Sequence, residues 1–581
     1  MTTQYDIVIR GGTVVDGTGK PAYEADVAIS AGVIAAVGEV SGRGREEIDA
    51  SGLLVTPGFV DVHTHYDGQA TWEHRLTPSS VHGVTTVLAG NCGVGFAPCK
   101  PHDRDRLVRL MEGVEDVPEI VMTAGLPWNW ESFSDYLDVL DTRALDIDIA
   151  AQVPHSALRV YVMGERGANR EKATPQDLAE MTRLVADAVR AGAIGVSTSR
   201  LLSHRSAGGE MIPSLQSARE ELLALGEGLR QAGGGVFQIV PDYDAEPENE
   251  VELMRDIVAH SGRPLSFSLS QSVQNPENWR RFVKAVADAN AAGLRIKGQV
   301  FPRPIGFLYG LDLSFNPLSR RPSWAEIADL PLAGRVAALR DPEFRARILA
   351  EEDVEHAMPQ VNLMLGRLDR MVALGDPPDY MPGPEQLLGA RAARAGKDLM
   401  EFALDAMLEQ DGHAVLYLPA SNYAEGNLGA ARALMDSEHT VIGLGDGGAH
   451  YGIVCDASFP TTMLAYWGRD ADPAERMPIE RVIAALSSEP AALIGLGDRG
   501  IIAPGKLADI NLIDREAVLL RAPRVKYDLP GGGRRLTQAA DGYVATIKRG
   551  QMTYRNGEPT GALPGSLVRR NEAVPALEAA E

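Results

Sequence analysis

Strand-like and helix-like segments alternate through the middle of this 581-residue chain. Such alternation is typical of βα units, whose strands lie side by side in a parallel sheet. One helical spacer carries its own end signals, because Thr174 is placed to cap its start and Gly192 to end it. The eight candidate strands are VDVHTH, TTVLAG, ALRVYV, AIGVST, GVFQIV, PLSFSL, RIKGQV and TVIGLG. They predict an α/β fold, a (β/α)8 barrel of the TIM type.

Both ends of the chain differ from this middle part. Residues 5–56 form short strand-like runs separated by glycine turns, and the chain after residue 499 repeats that pattern. A small β unit needs a partner sheet to bury its apolar face. We therefore expect the two termini to combine in one small β-sandwich, built from residues 1–56 and 499–581, with the barrel at 57–498 between them.

Two further segments stand out. The interval of about 301–418 is longer than an ordinary βα connection. We expect it to be a helical insertion over the barrel mouth, where inserted segments commonly shape a substrate pocket. The residues after about Leu567 have the polar, weakly periodic character of a disordered tail.

The charge of the chain excludes some classes of partner. The formal net charge is -23, whereas nucleic acids and anionic membranes select basic surfaces, so we expect neither as a partner. The three cysteines are too few for a disulfide framework and suit a reducing compartment. The sequence shows no signal-peptide pattern and no apolar run of about 20 residues. These features predict a cytoplasmic protein, and they leave a homo-oligomer open.

Two histidines follow the first candidate strand in the stretch GFVDVHTHYDG. His63 and His65 are separated by one residue, so on a strand both imidazoles point to the same face. Paired imidazoles at the carboxyl end of a barrel strand are suited to bind a divalent metal. Two histidines on an exposed turn are the alternative interpretation, because so short a motif is weak by itself.

Longer motifs connect this stretch to a known family. They are PGFVDVHTHYD at 57–67, AGNCGVGFAP at 89–98, MEGVEDVP at 111–118 and GDGGAH at 445–450. With them the chain resembles the amidohydrolase superfamily, and within it the branch of D-aminoacylases or N-acyl-D-amino-acid deacylases. The resemblance covers nearly the whole length and implies a metal-dependent hydrolase with a small-molecule amide substrate.

The resemblance implies roles for four residues. His63, His65 and Cys92 match metal ligands of the branch, and Asp446 matches the aspartate that touches the metal and takes the proton from the attacking water. Two imidazoles, a thiolate and a carboxylate are ordinary ligands of zinc, which lowers the pKa of bound water. Two simpler interpretations stay open. Cys92 is also explained as a small buried apolar residue, and Asp446 as a turn residue between glycines.

Three other histidines and one glutamine are candidates to contact substrate or to support the metal ligands. His450 has a counterpart in the branch, with helix capping as the alternative. His155 and His204 are the histidines available to supplement the site, and a hydrogen-bonded loop position is the alternative for both. Gln238 offers a neutral hydrogen-bonding group at the end of the fifth candidate strand.

The chain departs from the branch at its fifth and sixth strands. The branch has a histidine at the end of each, whereas this chain reads GVFQIVPDYD and PLSFSLSQS there. We therefore expect one Zn2+ ion in preference to two, with another divalent metal as an alternative. Arg200, Arg205 and Arg303 are candidates to hold a substrate carboxylate, or else are surface ion-pair partners.

Together these features predict a zinc-dependent hydrolase that cleaves the carbon–nitrogen bond of an N-acyl amino acid or a related small amide. A hydrolase of cyclic amides or carbamates, built on the same core, is one alternative. An alternative from another class is a catalytically silent scaffold or binding protein, in which the missing histidines mark the loss of the metal.

Overall fold

The two ends of the chain share one sheet in the computed structural model, which describes residues 3–215, 217–356 and 359–570. Strand Leu54–Pro57 pairs antiparallel with strand Ile510–Ile513, and this pair joins the two ends. The nine strands are Thr3–Val14, Tyr23–Ser30, Val33–Gly38, Arg43–Asp49, Leu54–Pro57, Ile510–Ile513, Tyr543–Lys548, Gln551–Arg555 and Glu558–Pro559. The strand pairing thus shows one nine-stranded sheet shared by both ends, and its folding into a sandwich stays a prediction.

This terminal sheet has an apolar core of its own. Ile7 and Ile9 from the first strand pack with Val27 from the second and with Ile510 and Ile547 from the C-terminal part. Residues two apart on a strand share a face, so the alternating apolar residues of both ends line the same side. Neither end could bury this face alone.

Eight parallel strands follow one another in the middle of the chain. They are Phe59–Asp61, Val84–Ala89, Asp148–Ala151 continued by Val153–Pro154, Gly195–Ser199, Val236–Val240, Leu265–Ser268, Ile296–Val300 and Thr440–Ile442. Each strand pairs in parallel with the next. Beyond the last strand, the Asp446 amide donates to the His63 carbonyl at 3.0 Å and the His65 amide donates to the Gly447 carbonyl at 2.7 Å. The carboxyl ends of the first and last strands are therefore in direct contact.

The third predicted strand is wrong. ALRVYV lies in helix His155–Met163, and the strand is formed by the preceding residues up to Pro154. A short apolar run does not by itself distinguish a buried strand from a buried helix. Here residues 155–160 are all buried in the helical conformation, which explains why the run is apolar without alternation.

Helices cover the parallel strands. Helix Pro175–Ala191 confirms its predicted ends, because Thr174 and Asp177 form a capping box and Gly192 follows its last turn. The other helices of seven or more residues around these strands are Arg104–Glu115, Glu119–Gly125, Phe133–Asp141, His155–Met163, Arg219–Ala232, Pro247–Ser261, Asn278–Ala291, Gly429–Asp436 and Ile479–Leu486, and a π-helix spans Met463–Asp470. None of the helices in the described ranges is long and apolar enough to cross a membrane.

The segment 301–418 contains more than the predicted helices. Among its described residues the α-helices are Leu332–Arg340, Pro342–Ala350, Pro359–Leu365, Leu388–Ala395 and Leu399–Met407. They accompany an antiparallel sheet of Ile305–Tyr309, Val372–Ala373 and Leu416–Ser421. These elements enclose a separate apolar core. Backbone amides of Leu308 and Ser314 donate to carbonyls of Ile453 and Gly452, so the segment contacts the loop that follows Asp446.

The first residues of the predicted tail are packed against the third strand. Leu567 and Val568 are buried, and the Val568 amide donates to the Ile149 carbonyl at 2.7 Å. These two apolar residues thus extend the packing of the third strand. Residues 571–581 of the predicted tail lie outside the described residues.

Candidate metal centre

The first parallel strand delivers both histidines of the HxH motif to the carboxyl end of the sheet. His63 and His65 follow strand Phe59–Asp61 and are each 2% exposed. The Nδ1 atom of His63 lies 2.7 Å from Oε1 of Gln299, on the seventh strand. Since an amide oxygen only accepts, Nδ1 carries the proton and Nε2 is left with a free lone pair.

Cys92 and Asp446 lie in turns that follow the second and eighth strands. Both have positive φ angles, 56° for Cys92 and 49° for Asp446. Non-glycine residues adopt this conformation at a cost, and such residues cluster at functional sites. Glycine is required at 448, two residues after Asp446, because a Cβ atom there would lie 2.7 Å from the carbonyl carbon of His65. The turn can therefore approach the histidine strand closely.

The four predicted ligands converge. Nε2 of His63 lies 3.3 Å from Sγ of Cys92 and 3.5 Å from Oδ1 of Asp446, and Nε2 of His65 lies 3.6 Å from the same Oδ1. One ligand atom from each of His63, His65 and Cys92 lies within 4.8 Å of the others. A tetrahedral zinc site with bonds of 2.0–2.3 Å has ligand–ligand edges of about 3.3–3.8 Å. The observed separations have this size.

The polar atoms of the centre also fit a cation. Both ring nitrogens of His65 are buried without a hydrogen-bond partner among the described residues. Buried polar groups are normally paired, so such an atom calls for an explanation. A divalent ion held by His63, His65 and Cys92, with Asp446 beside it, would satisfy His65 through its Nε2 atom. The donor set therefore fits zinc.

Burial and mutual charge shift the protonation of these groups. Burial lowers the pKa of His63 to about 4, and it raises the pKa of the Cys92 thiol to about 12. Burial alone would raise the pKa of Asp446, but His65 and His63 outweigh it and lower that pKa. Asp446 is thus an anion at neutral pH, whereas the Cys92 thiol needs a nearby cation to ionise.

Glu115 connects two histidines of the centre. It is 1% exposed and ends helix Arg104–Glu115. Its Oε1 lies 3.5 Å from Nδ1 of His65, and its Oε2 lies 3.4 Å from Nε2 of His450. Its carbonyl also accepts from the His450 amide. Glu115 thus links His450 to the candidate ligand His65. None of the described helices begins at His450, so the helix-capping interpretation does not hold.

Two of the remaining predicted residues, Gln238 and His204, lie beside the four candidate ligands. Gln238 accepts a hydrogen bond from the Cys92 amide at 3.3 Å, and its buried Nε2 has no partner among the described residues. His204 bonds through Nδ1 to Ser199. Burial and the charges of His450 and His65 lower the pKa of His204 to about 3. Both residues thus border the centre.

His155 is not placed to bind a metal ion. Its Nδ1 lies 2.8 Å from the Thr198 hydroxyl and its Nε2 lies 2.8 Å from the Glu221 carboxylate. Because both ring nitrogens are engaged, it has the hydrogen-bonded position that was the alternative to a site role.

Two of the three candidate arginines have carboxylate partners. Arg303 is 1% exposed and lies 2.8 Å from Asp456. Arg200 lies 3.0 Å from Glu250. Arg205 donates to the Gly209 carbonyl and has no carboxylate within 4 Å among the described residues. Of the three, Arg205 is the one that keeps its charge available for a ligand.

Sequence reasoning overlooked two residues of the centre. Gln299 is a polar residue near the end of an apolar strand, the same signal that identified Gln238. Glu115 had no such signal, because it ends a helix whose distance from the strands is unknown from sequence. It lies within the motif MEGVEDVP, which marked the family without assigning a role.

Comparisons with known proteins agree with this geometry. The family model described as "Amidohydrolase family" matches residues 46–554. N-acyl-D-glutamate deacylase of Alcaligenes xylosoxydans xylosoxydans is 25% identical over 585 residues, which is 99% of this chain and 98% of the relative. D-aminoacylase of the same organism is 33% identical over 234 residues, 40% of this chain and 43% of the relative. The structure of N-acyl-D-glutamate deacylase from Bordetella bronchiseptica, complexed with zinc and a phosphonate inhibitor, has a TM-score of 0.65 at 23% identity, covering 98% of this chain and all of that one.

Proposed function

Because the chain belongs to the amidohydrolase family, we propose that it is a zinc-dependent hydrolase of an N-acyl amino acid or a related small amide. The observation that carries the proposal is the convergence of His63, His65, Cys92 and Asp446 at the carboxyl ends of the parallel strands. When bound, zinc supplies a Lewis acid that polarises the amide carbonyl and lowers the pKa of water.

The donor set supports a single ion. His63, His65 and Cys92 would hold it, with Asp446 as the fourth group. The fifth strand carries Gln238 and the sixth ends at Ser268, and neither strand contains a histidine. Amide and hydroxyl groups are weaker zinc ligands than imidazole, so a second ion would have few strong donors.

Asp446 is suited to move the proton. Its side chain is 23% exposed, whereas the imidazole of His65 is fully buried, so Asp446 faces the space where substrate and water enter. The neighbouring imidazoles keep it ionised. It would accept a proton from the attacking water and return it to the leaving amine nitrogen.

The residues around the proposed metal centre indicate which class of substrate it fits. Arg200 and Arg303 are held by Glu250 and Asp456, which leaves Arg205 as the candidate to bind a substrate carboxylate. Gln238 and His204 offer neutral hydrogen-bonding groups near the centre. This composition supports amide recognition, and the similarity to the D-aminoacylase branch supports an N-acyl amino acid.

The strand pairing also supports the predicted barrel and the predicted division into domains. The serial pairing of eight parallel strands and the contact between the first and last support a closed (β/α)8 barrel. The shared terminal sheet supports a division into a barrel at 57–498 and a β domain from 1–56 and 499–581. The contacts of segment 301–418 with the loop after Asp446 support its place over the mouth.

The test combines metal analysis with matched variants. Zinc content per chain is measured for the unmodified protein, for His63→Ala and for His260→Ala, a control whose side chain is 45% exposed. Hydrolysis is measured on N-acetyl D- and L-amino acids, N-acetylated amines and cyclic amides. Asp446→Asn is compared with Asp288→Asn, whose side chain is 63% exposed.

We expect about one zinc per chain, lost only in His63→Ala, and activity lost only in His63→Ala and Asp446→Asn. Two equivalents of zinc would contradict the single ion. Activity confined to cyclic substrates would favour the cyclic-amide alternative. Absence of metal, together with no hydrolysis after zinc, manganese or cobalt is added, would favour the silent scaffold.

A further inference from the structure

A large cavity lies at the end of the parallel strands opposite the metal centre. Its volume is about 1340 Å3, more than the roughly 300–1,000 Å3 of common ligand pockets. Gly235, Pro264 and Arg295, which precede the fifth, sixth and seventh strands, form one side. Turns of the terminal sheet, including Gly32 and Gly550, form another. Since the metal ligands follow the strands and the cavity precedes them, the strands separate the two.

The cavity is basic although the protein is acidic. The whole chain has 56 lysines and arginines against 79 aspartates and glutamates. Among the described residues that line the cavity, eight are arginine or lysine and two, Asp6 and Asp498, are acidic. Clustered charge of one sign in a concave surface concentrates counter-ions of the other sign.

Several of these cations are held by protein carboxylates. Arg45 pairs with Asp6, and Arg499 pairs with Asp148 and Asp498. Arg549 also approaches Asp148, at 3.3 Å. Carboxylates of the protein therefore already neutralise the charges of these arginines.

Three others are not neutralised in this way. No carboxylate among the described residues lies within 4 Å of Arg263, Arg295 or Lys506. Arg295 donates to the Gly262 carbonyl and Lys506 to the Gly497 carbonyl, bonds that leave their charge uncompensated. The Nε atom of Arg263 is buried without a hydrogen-bond partner among the described residues. An unpaired buried donor on a charged group is unfavourable, and an anionic ligand would remove that cost.

From these observations we infer that the cavity binds a small anion with two or more phosphate-type charges. Guanidinium groups bind phosphate oxygens through paired, charge-assisted hydrogen bonds. Arg263 and Arg295 would supply such donors from the strand side and Lys506 a point charge from the sheet side. The site joins the parallel strands to the terminal sheet, so the ligand would tie these parts together. It takes no part in the chemistry at the metal centre.

Inorganic pyrophosphate is the probe. Its binding to the full chain is measured by calorimetry, with sodium chloride at matched ionic strength as the reference. Saturable binding with one site per chain is expected, together with a saturable rise in Tm. Arg263→Ala and Arg295→Ala should each weaken binding about tenfold or more, as loss of a charge-assisted contact predicts. Arg263→Lys should bind more strongly than Arg263→Ala, because it keeps the charge.

Arg183→Ala is the matched control. Arg183 is 56% exposed and pairs with Glu180 and Asp187 on its own helix, so its removal changes the net charge equally but lies outside the cavity lining. Its affinity for pyrophosphate should stay within twofold of the unmodified chain. Zinc content should be unchanged in every variant, which separates this site from the metal centre.

The inference fails if the heat of pyrophosphate addition is reproduced by sodium chloride, or if it saturates neither for the full chain nor for a chain that ends at Arg570. It also fails if Arg183→Ala weakens binding as much as Arg263→Ala does. Residues 571–581 carry three glutamates directly after Arg570, so the titration is repeated on a chain that ends at Arg570. Absence of binding in both forms overturns the site.

Discussion

Replacing Glu115 by glutamine tests whether its carboxylate supports the proposed metal ligand His65. The substitution keeps the size of the side chain and removes one negative charge from a position 3.5 Å from Nδ1 of His65. A carboxylate behind a ligating histidine fixes the orientation of the ring and raises its basicity. Glu115→Gln should therefore weaken zinc binding while leaving the ligands in place.

The size of the effect follows from the geometry. Two full unit charges 3.5 Å apart would interact by about 5 kcal/mol at an effective dielectric constant of 20. This is an upper limit, because a ligating imidazole carries only part of a charge. Loss of such supporting partners typically costs about 10- to 100-fold in metal affinity or activity. Since 3.5 Å is longer than an ideal hydrogen bond, we expect a value near 10-fold, or about 1.4 kcal/mol.

The assay is competition for zinc against a chromophoric chelator at constant pH, followed by kcat/KM at saturating zinc. Glu112→Gln is the control, because Glu112 lies one turn earlier on the same helix and accepts from the Glu119 amide instead. Zinc affinity should fall about tenfold in Glu115→Gln and stay unchanged in Glu112→Gln. An unchanged affinity in Glu115→Gln, or an equal loss in both variants, would refute the reasoning.

Three further substitutions have defined outcomes. Cys92→Ser should lower zinc per chain sharply without changing the circular dichroism spectrum, whereas full zinc retention would show that Cys92 is only a buried apolar residue. Asp148→Asn should destabilise the protein by about 3–5 kcal/mol in urea unfolding, because the fully buried carboxylate lies 2.7 Å from both Lys548 and Arg499; a loss under about 1 kcal/mol would contradict this. Burial lowers the pKa of His82 to about 3, below its pKa in the unfolded chain. As the pH falls, the imidazole is therefore protonated in the unfolded chain before it is protonated in the folded protein. The free energy of unfolding should fall by up to about 1.4 kcal/mol per pH unit from this residue as the pH decreases from about 6.5 towards 3, and His82→Gln should show a shallower dependence.

Much of the candidate metal centre was predictable because its signals are local. His63 and His65 are two residues apart on a strand, so they share a face whatever the rest of the chain does. Cys92 and Asp446 were identified by motifs around tight turns. The structure adds that both have positive φ angles. Gln299 is a polar residue in an apolar strand, as Gln238 is, so the pattern that identified Gln238 also applies to Gln299.

Other features depend on contacts between distant parts of the chain. His155 resembles a ligand in sequence, but its ring nitrogens are occupied by Thr198 and Glu221, 43 and 66 residues away. Glu115 has no local signal, and it reaches His65 and His450 only because its helix packs beside the strand ends. The run ALRVYV was apolar enough for a strand and became a helix in its buried setting.

The sequence by itself determined the alternation of strands and helices, the ends of helix Pro175–Ala191 and the pair of histidines on one face. These depend on backbone periodicity and on hydrogen bonds between residues a few positions apart. Tertiary structure alone decided how the two termini share a sheet, which histidines lack partners and where uncompensated cations gather. Burial and electrostatic energy depend on everything nearby in space, and the order of residues along the chain does not specify those neighbours.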